Sequence, residues 1–211
     1  MRRLLLSALL LAAAIQPVFA STIVFSSTGS GRTAVNASLT ALPDGDQFLI
    51  GMFSNPGGIS LAAGSAANIL AAGGWSQFDG ARTTSSIFGN PGKLTGQAQD
   101  NTAAANAFNL QNAYIVIFNT ASSATATQMG IFRATAATTP WIFPTNNGGV
   151  ADSATLDMND TTVAAVGGVG STTASPQRFV LTALVPEPSA VALLAPGLIA
   201  LLGYRRLRRH S

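Results

Sequence analysis

The sequence predicts an all-β domain over residues 21–184, an antiparallel sandwich or jelly-roll-like fold in a single domain. Three observations point there. Short runs rich in Val, Ile and Phe recur along this stretch, and they have the alternating or compact apolar character of strands. Glycine and proline, 21 and 10 residues in the whole chain, interrupt it too often for long helices. The stretch is also rich in Ala, Ser, Thr and Asn and poor in charge.

The elements follow in order. The first strand is TIVFS, Thr22 to Ser26. Pro43-Asp44-Gly45-Asp46 is a strong turn, and it leads into QFLIGMF, Gln47 to Phe53. Ser60 to Ala72 carries Leu61, Ile69 and Leu70 at helical spacing, with weak caps. YIVIFN, Tyr114 to Asn119, and QMGIFR, Gln128 to Arg133, flank a loop of small residues and read as a hairpin. Trp141 to Phe143, Thr155 to Met158 and Phe179 to Leu184 are further strands. The predicted core is Ile23, Phe25, Phe48, Ile50, Ile115, Ile117, Ile131, Phe179 and Leu181. No internal repeat is evident.

Two apolar segments flank this domain. Met1 to Ala20 has a basic start, Arg2-Arg3, and then a run of apolar and small residues from Leu4 to Ile15. Gln16-Pro17 breaks the helix, and Val18 and Ala20 place small residues at −3 and −1 of a cleavage site before Ser21. This is the pattern of a secretory signal peptide cut by signal peptidase. The apolar run is too short for a span, which needs ~20 residues. At the other end, Ser189 to Tyr204 is an apolar stretch of sixteen residues. At about 1.5 Å per residue it reaches ~24 Å, against a hydrocarbon core of ~30 Å. Snorkelling by Arg205 and an interfacial Tyr204 cover the shortfall. The cluster Arg205, Arg206, Arg208 and Arg209 stays cytoplasmic by the positive-inside rule, which leaves the middle domain outside the inner membrane. The expected architecture is therefore an N-terminal signal helix, the β domain and a C-terminal transmembrane helix.

Charge excludes some functions. The chain is +3 overall, but its ends carry the excess. Residues 21–184 hold five basic residues (Arg32, Arg82, Lys93, Arg133 and Arg178) against seven aspartates, a net of −2. A nucleic-acid footprint gathers basic side chains on one face, and no such cluster stands in the sequence, so no nucleic-acid partner is expected. The chain has no cysteine, and its single histidine is His210. The middle domain therefore lacks the residues for a Ser-His-Asp triad, a thiol nucleophile or a zinc site. It also has no glutamate.

Paired aspartates remain as a glycosidase possibility, but they sit in turn contexts where capping explains them. Asp157-Met158-Asn159-Asp160 alternates oxygen ligands as a calcium loop does, yet lacks the glycine and terminal glutamate of an EF-hand. A strand end with turn residues is the simpler reading. Gly29-Ser30-Gly31 and Gly167-Gly168-Val169-Gly170 open no helix and read as flexible loops. Trp75, Phe78 and Trp141 are candidates to stack on sugar rings, although core packing is their more common use. No enzyme activity, metal or cofactor is expected.

Val185-Pro186-Glu187-Pro188-Ser189, the apolar helix and the arginine-rich end occur in that order after a domain with a signal peptide. This combination resembles the PEP-CTERM sorting signal. The resemblance covers Val185 to Arg209, about an eighth of the chain. It implies an exported protein processed near Pro186-Glu187-Pro188 by an exosortase, a membrane-embedded enzyme with a catalytic cysteine. It further implies release to the cell surface or extracellular matrix and an association with exopolysaccharide and biofilm. A carbohydrate-binding module on the same tail, or a plain single-pass anchor, are the alternatives. The local physics fits the resemblance, since two prolines forbid helix and hold the motif extended just outside the bilayer. Glu187 is the only charge near that surface. The runs QFLIGMF, YIVIFN, QMGIFR and WIFP also loosely resemble the middles of such proteins.

Overall fold

The computed structural model describes residues 21–27, 31–87, 89–100, 107–136, 140–145 and 153–185. Both predicted terminal helices lie outside these residues. Among the described residues no helix is long and apolar enough to cross a membrane.

The fold is all-β, with one short α-helix among the described residues. The central sheet is built on strands β3 (Gln47–Phe53), β9 (Tyr114–Phe118) and β10 (Gln128–Ala134). Its order is β12-β10-β9-β3-β4, where β12 is Val163–Ala165 and β4 is Trp75–Gln77. The predicted hairpin is present, with Met129 opposite Phe118 and Phe132 opposite Ile115. β3 pairs antiparallel with the other side of β9, Ile50 opposite Ile115. Short β5 (Arg82–Thr83) adds to β3, and β15 (Thr182–Ala183) adds to β10.

A second sheet has β1 (Ser21–Ser26) between β8 (Thr95–Asp100) and β11 (Ser153–Asp157). A third has β14 (Gln177–Val180) between β13 (Ser171–Ala174) and β2 (Thr33–Val35). A hairpin of β6 (Ser85–Ile87) and β7 (Asn90–Lys93) completes the strands. Most pairings are antiparallel, but β1 runs parallel to β11 and β2 parallel to β14.

The alternation of side chains along β3, β9 and β10 sends them to two separate cores. On one face, Phe48, Ile50, Ile115, Ile117 and Phe132 meet Ile23, Phe25 and Leu156 of the second sheet and Phe179 of the third. Phe25 and Phe48 meet edge to face at 5.4 Å, and Phe132 packs on Phe179 at 4.8 Å. Such pairs add about 0.5–1.5 kcal/mol beyond area burial. On the other face, Leu49, Val116, Phe118, Met129 and Ile131 pack under Ile59, Val169 and the helix α1 (Ala66–Ala72) through Ala66 and Ile69. All nine predicted core residues are buried, but Ile131 belongs to the second core rather than the first.

Several local expectations are corrected. The predicted helical stretch is split into a 3₁₀ turn, Leu61–Ala63, and α1. Its caps are sound: the Ser60 hydroxyl accepts from the Ala62 amide and the Ser65 hydroxyl from the Asn68 amide, which satisfies N–H groups that the first turn leaves open. Trp141 to Phe143 forms no strand, only a single bridge between Ile142 and Asn112. Phe179 to Leu184 is divided between β14 and β15 because the chain leaves one sheet for another at Leu181. Gly167-Gly168 is a tight turn rather than a flexible loop. Both residues have positive φ, 64° and 72°, and the Val169 amide closes onto the Val166 carbonyl, the type I′ pattern that glycine favours. This turn fills the edge of β10 between β12 and β15, since Ile131 donates to Val169 and accepts from Val166.

Candidate functional site

Each of the two predicted processing points is described on one side only. Ala20 lies outside the described residues. Ser21 opens β1, is buried, and is registered opposite Asp100. At the far end, the Leu184 amide donates to the Thr127 carbonyl at 2.8 Å, and Val185 is 63% exposed. Val185 and Leu184 border a concavity of about 470 Å³ with Gly64, Ser65, Ala126 and Thr127. Pro186, Glu187, Pro188, Ser189 and the basic residues Arg205, Arg206, Arg208 and Arg209 lie outside the described residues.

The aspartates act in turns and local pairs. Asp44 accepts from the Ser86 hydroxyl at 2.8 Å. Asp79 pairs with Arg82 three residues on and accepts from the Gln99 amide. Asp157 accepts from the Asn159 amide at 2.8 Å, and Asp160 accepts from both the amide and the hydroxyl of Thr162 at 2.7 Å. These are Asx-type contacts that shape the chain after β11. Asp46 differs. It is buried, its Oδ2 has no hydrogen-bond partner, and desolvation pushes its carboxyl above the ordinary value. Among the described residues no group of three potential ligands is placed to hold a metal ion.

The aromatic candidates separate by burial. Trp141 is 2% exposed, and Phe78 is packed into a cluster with Phe108 and Phe143 at 4.8–5.2 Å. Both are core residues and offer no open ring face. Trp75 is half-buried at the edge of the central sheet against Phe53, 4.7 Å away, and over Gly51. A Cβ on Gly51 would meet the Ser76 carbonyl oxygen at 2.2 Å, so glycine is required there by close approach.

The basic residues, which in the sequence look scattered, include two buried cations. Arg32 is 2% exposed. It donates to the carbonyls of Thr173 and Asp160 at 3.2 and 3.1 Å and lies over the Phe179 ring at 5.6 Å. Burial lowers its pKa, and the charge of Asp160 offsets part of that shift. Lys93, also 2% exposed, donates to the Gly31 carbonyl at 2.7 Å and the Thr33 hydroxyl at 2.9 Å. Burial lowers its pKa too. Nothing in the local sequence marks either residue, because the partners come from 60 to 141 positions away.

Lys93 sits in a groove of about 390 Å³ with Gly31, Thr33, Leu39, Gln177 and Arg178. Thr33 is registered beside Arg178 across the parallel β2–β14 pair. Adjacent residues in register share a face, here the one opposite Phe179. The turn after β2 forms the rim. The Asn36 side chain accepts from the amides of Ser38 and Thr40, and this holds Leu39 in the left-handed region at φ 64°, 49% exposed.

No family model, curated protein or solved structure matches this chain.

Proposed function

We propose that this chain is an exported surface or extracellular-matrix protein, without catalytic activity of its own, that an exosortase processes at its C-terminus. The observation that carries the reading is the ordered set of Pro186-Glu187-Pro188, a marginal apolar stretch and four arginines. A lone Pro-Glu-Pro carries little weight. Joined to a basic end and an N-terminal signal peptide, it describes a transient inner-membrane substrate.

The positions of the proposed cuts support this reading. Strand β1 runs from Ser21 to Ser26, so a cut before Ser21 would leave this strand whole in the mature chain. Val185 is exposed after β15, so a cut within Pro186-Glu187-Pro188 would leave every described strand in the released domain. The facing of the first core across Phe25 and Phe48 supports a sandwich as the finer description of the fold. Association with exopolysaccharide follows from the resemblance and belongs to the same proposal.

Glu187→Ala tests it. The substitution removes the motif's only charge and leaves both prolines and the helix. A plain single-pass anchor keeps its hydrophobicity and topology signals and ignores the change. A processed substrate accumulates uncut in the inner membrane. The measurement is intact mass with cell fractionation, for wild type and Glu187→Ala, with and without the exosortase. Wild type that keeps Arg205 to Ser211 in every strain overturns the sorting reading in favour of the anchor.

A further inference from the structure

Two cations line the groove between β2, β14 and the β6–β7 hairpin, and no carboxylate among the described residues lines it. Lys93 presents an ammonium whose three protons meet two acceptors, Gly31 and Thr33. Arg178 is half-buried and makes no ion pair among the described residues. Elsewhere the domain treats cations differently. Arg82 is paired with Asp79, Arg133 lies on the Tyr114 ring, and Arg32 is held by carbonyls. Among the described residues this groove brings two cations together, Lys93 buried in its wall and Arg178 half-buried beside it. The burial of Lys93 has a desolvation cost, and no anion among the described residues pairs with it. The rest of the lining is equally specific. Thr33 and Gln177 carry hydroxyl and amide groups, and Leu39 supplies an apolar wall in a backbone conformation that a leucine seldom adopts. Strain held by side-chain hydrogen bonds tends to mark a functional position.

We infer that this groove binds a hydroxylated carboxylate of sugar size, a sugar acid, whose carboxylate pairs with Arg178 in the field of the Lys93 charge buried behind Thr33. Its hydroxyls meet Thr33 and Gln177, and its C–H face rests on Leu39. The planar guanidinium of Arg178 suits a carboxylate in two-point contact, and a groove of this volume is within the usual range for small ligands. Free sugar acids and the acidic units of a polysaccharide share this chemistry. The inference does not depend on the sorting proposal, because it is argued from residues of β2, β7, β14 and the turn after β2.

The test uses the full chain in a non-ionic detergent, titrated by calorimetry with glucuronate, oligoglucuronate, glucose and inorganic phosphate. Glucuronate is expected to bind, more weakly as salt rises, with glucose and phosphate much weaker. Arg178→Gln is expected to weaken glucuronate roughly tenfold, the loss of one charge-assisted contact. Leu39→Gly is expected to weaken it roughly threefold, the loss of one partly buried side-chain contact, without lowering the unfolding midpoint, because glycine takes φ 64° freely. Tighter binding of the oligomer than of the monomer assigns the site to a polymer, and equal binding assigns it to the free acid. Absence of glucuronate binding, equal binding of glucose or phosphate, or unchanged affinity in a folded Arg178→Gln chain overturns the inference.

Discussion

Strands β1 and β9 each lie between two partners, yet they are built differently. Every residue of β9 from Tyr114 to Phe118 is buried. In β1, buried Ser21, Ile23 and Phe25 alternate with more exposed neighbours, and Val24 is 39% exposed. The sheet of β9 is covered twice, by the second and third sheets on one face and by α1 and its flanking turns on the other. The sheet of β1 has one face on the core and one open. A strand buried on both faces reads as a continuous apolar run, and a strand buried on one face reads as alternation. YIVIF is such a continuous run. TIVFS also reads as one, Ile23-Val24-Phe25, and only its burial alternates, so each was readable as a strand without revealing its layer.

The largest expected effect tests the double covering. Ile115→Ala and Ile131→Ala make the same truncation on opposite faces of the central sheet, and both residues are 0% exposed. Each is expected to cost about 2–5 kcal/mol, from lost burial and the cavity left behind. Denaturant midpoints measure both. A near-neutral Ile131→Ala beside a costly Ile115→Ala would mean that the second face is solvated and that the contrast with β1 is false.

An intermediate effect lies at the entrance to β3. Burial raises the Asp46 carboxyl above its ordinary value of 3.8, so the native state holds the proton more tightly than the unfolded chain. Stability then falls as pH rises from the unfolded value through the raised native one, and it stays lower above it. Asp46→Asn removes this fall. The variant is expected to be more stable than wild type at neutral pH, with the advantage vanishing below the ordinary aspartate value. Urea midpoints across that range check the sign, and an advantage that grows on acidification contradicts it.

The smallest effect belongs to the open face. Val24→Thr keeps the branched shape that strands favour at a half-exposed position and is expected to stay within about 0.5 kcal/mol of wild type. A loss comparable to that of Ile115→Ala in the same denaturant series would place a further layer over β1.

Legibility followed locality. The Pro43 to Asp46 turn, the hairpin of β9 and β10 and the strand QFLIGMF are local patterns, and each was readable. Strands β2, β4 to β8, β12 and β13 were not singled out. They are short, polar or glycine-bearing, as in SSI, NPGK and STTA, and partners distant in sequence hold them in place. Trp141 to Phe143 has strand-like residues, but among the described residues its backbone partners are Gln111 to Ala113, and a single bridge forms. The sugar-binding candidates show the same limit. Ring type marked Trp141 and Phe78, while burial, which the sequence does not display, places both in the core.

The sequence by itself determined the β class, the nine core residues it singled out and the residue types that the middle domain lacks. Periodicity, turn residues and composition are properties of contiguous chain, and so is the ordered tail from Val185 to Arg209. Tertiary structure alone decided that two sheets run partly parallel, that the central sheet has two cores, and that Lys93, Thr33 and Arg178 meet at one groove. Those three residues come from separate strands, β7, β2 and β14, joined through long connections. Their meeting depends on which strands pair and in what register, and register is set by burial on the whole sheet rather than by neighbours along the chain.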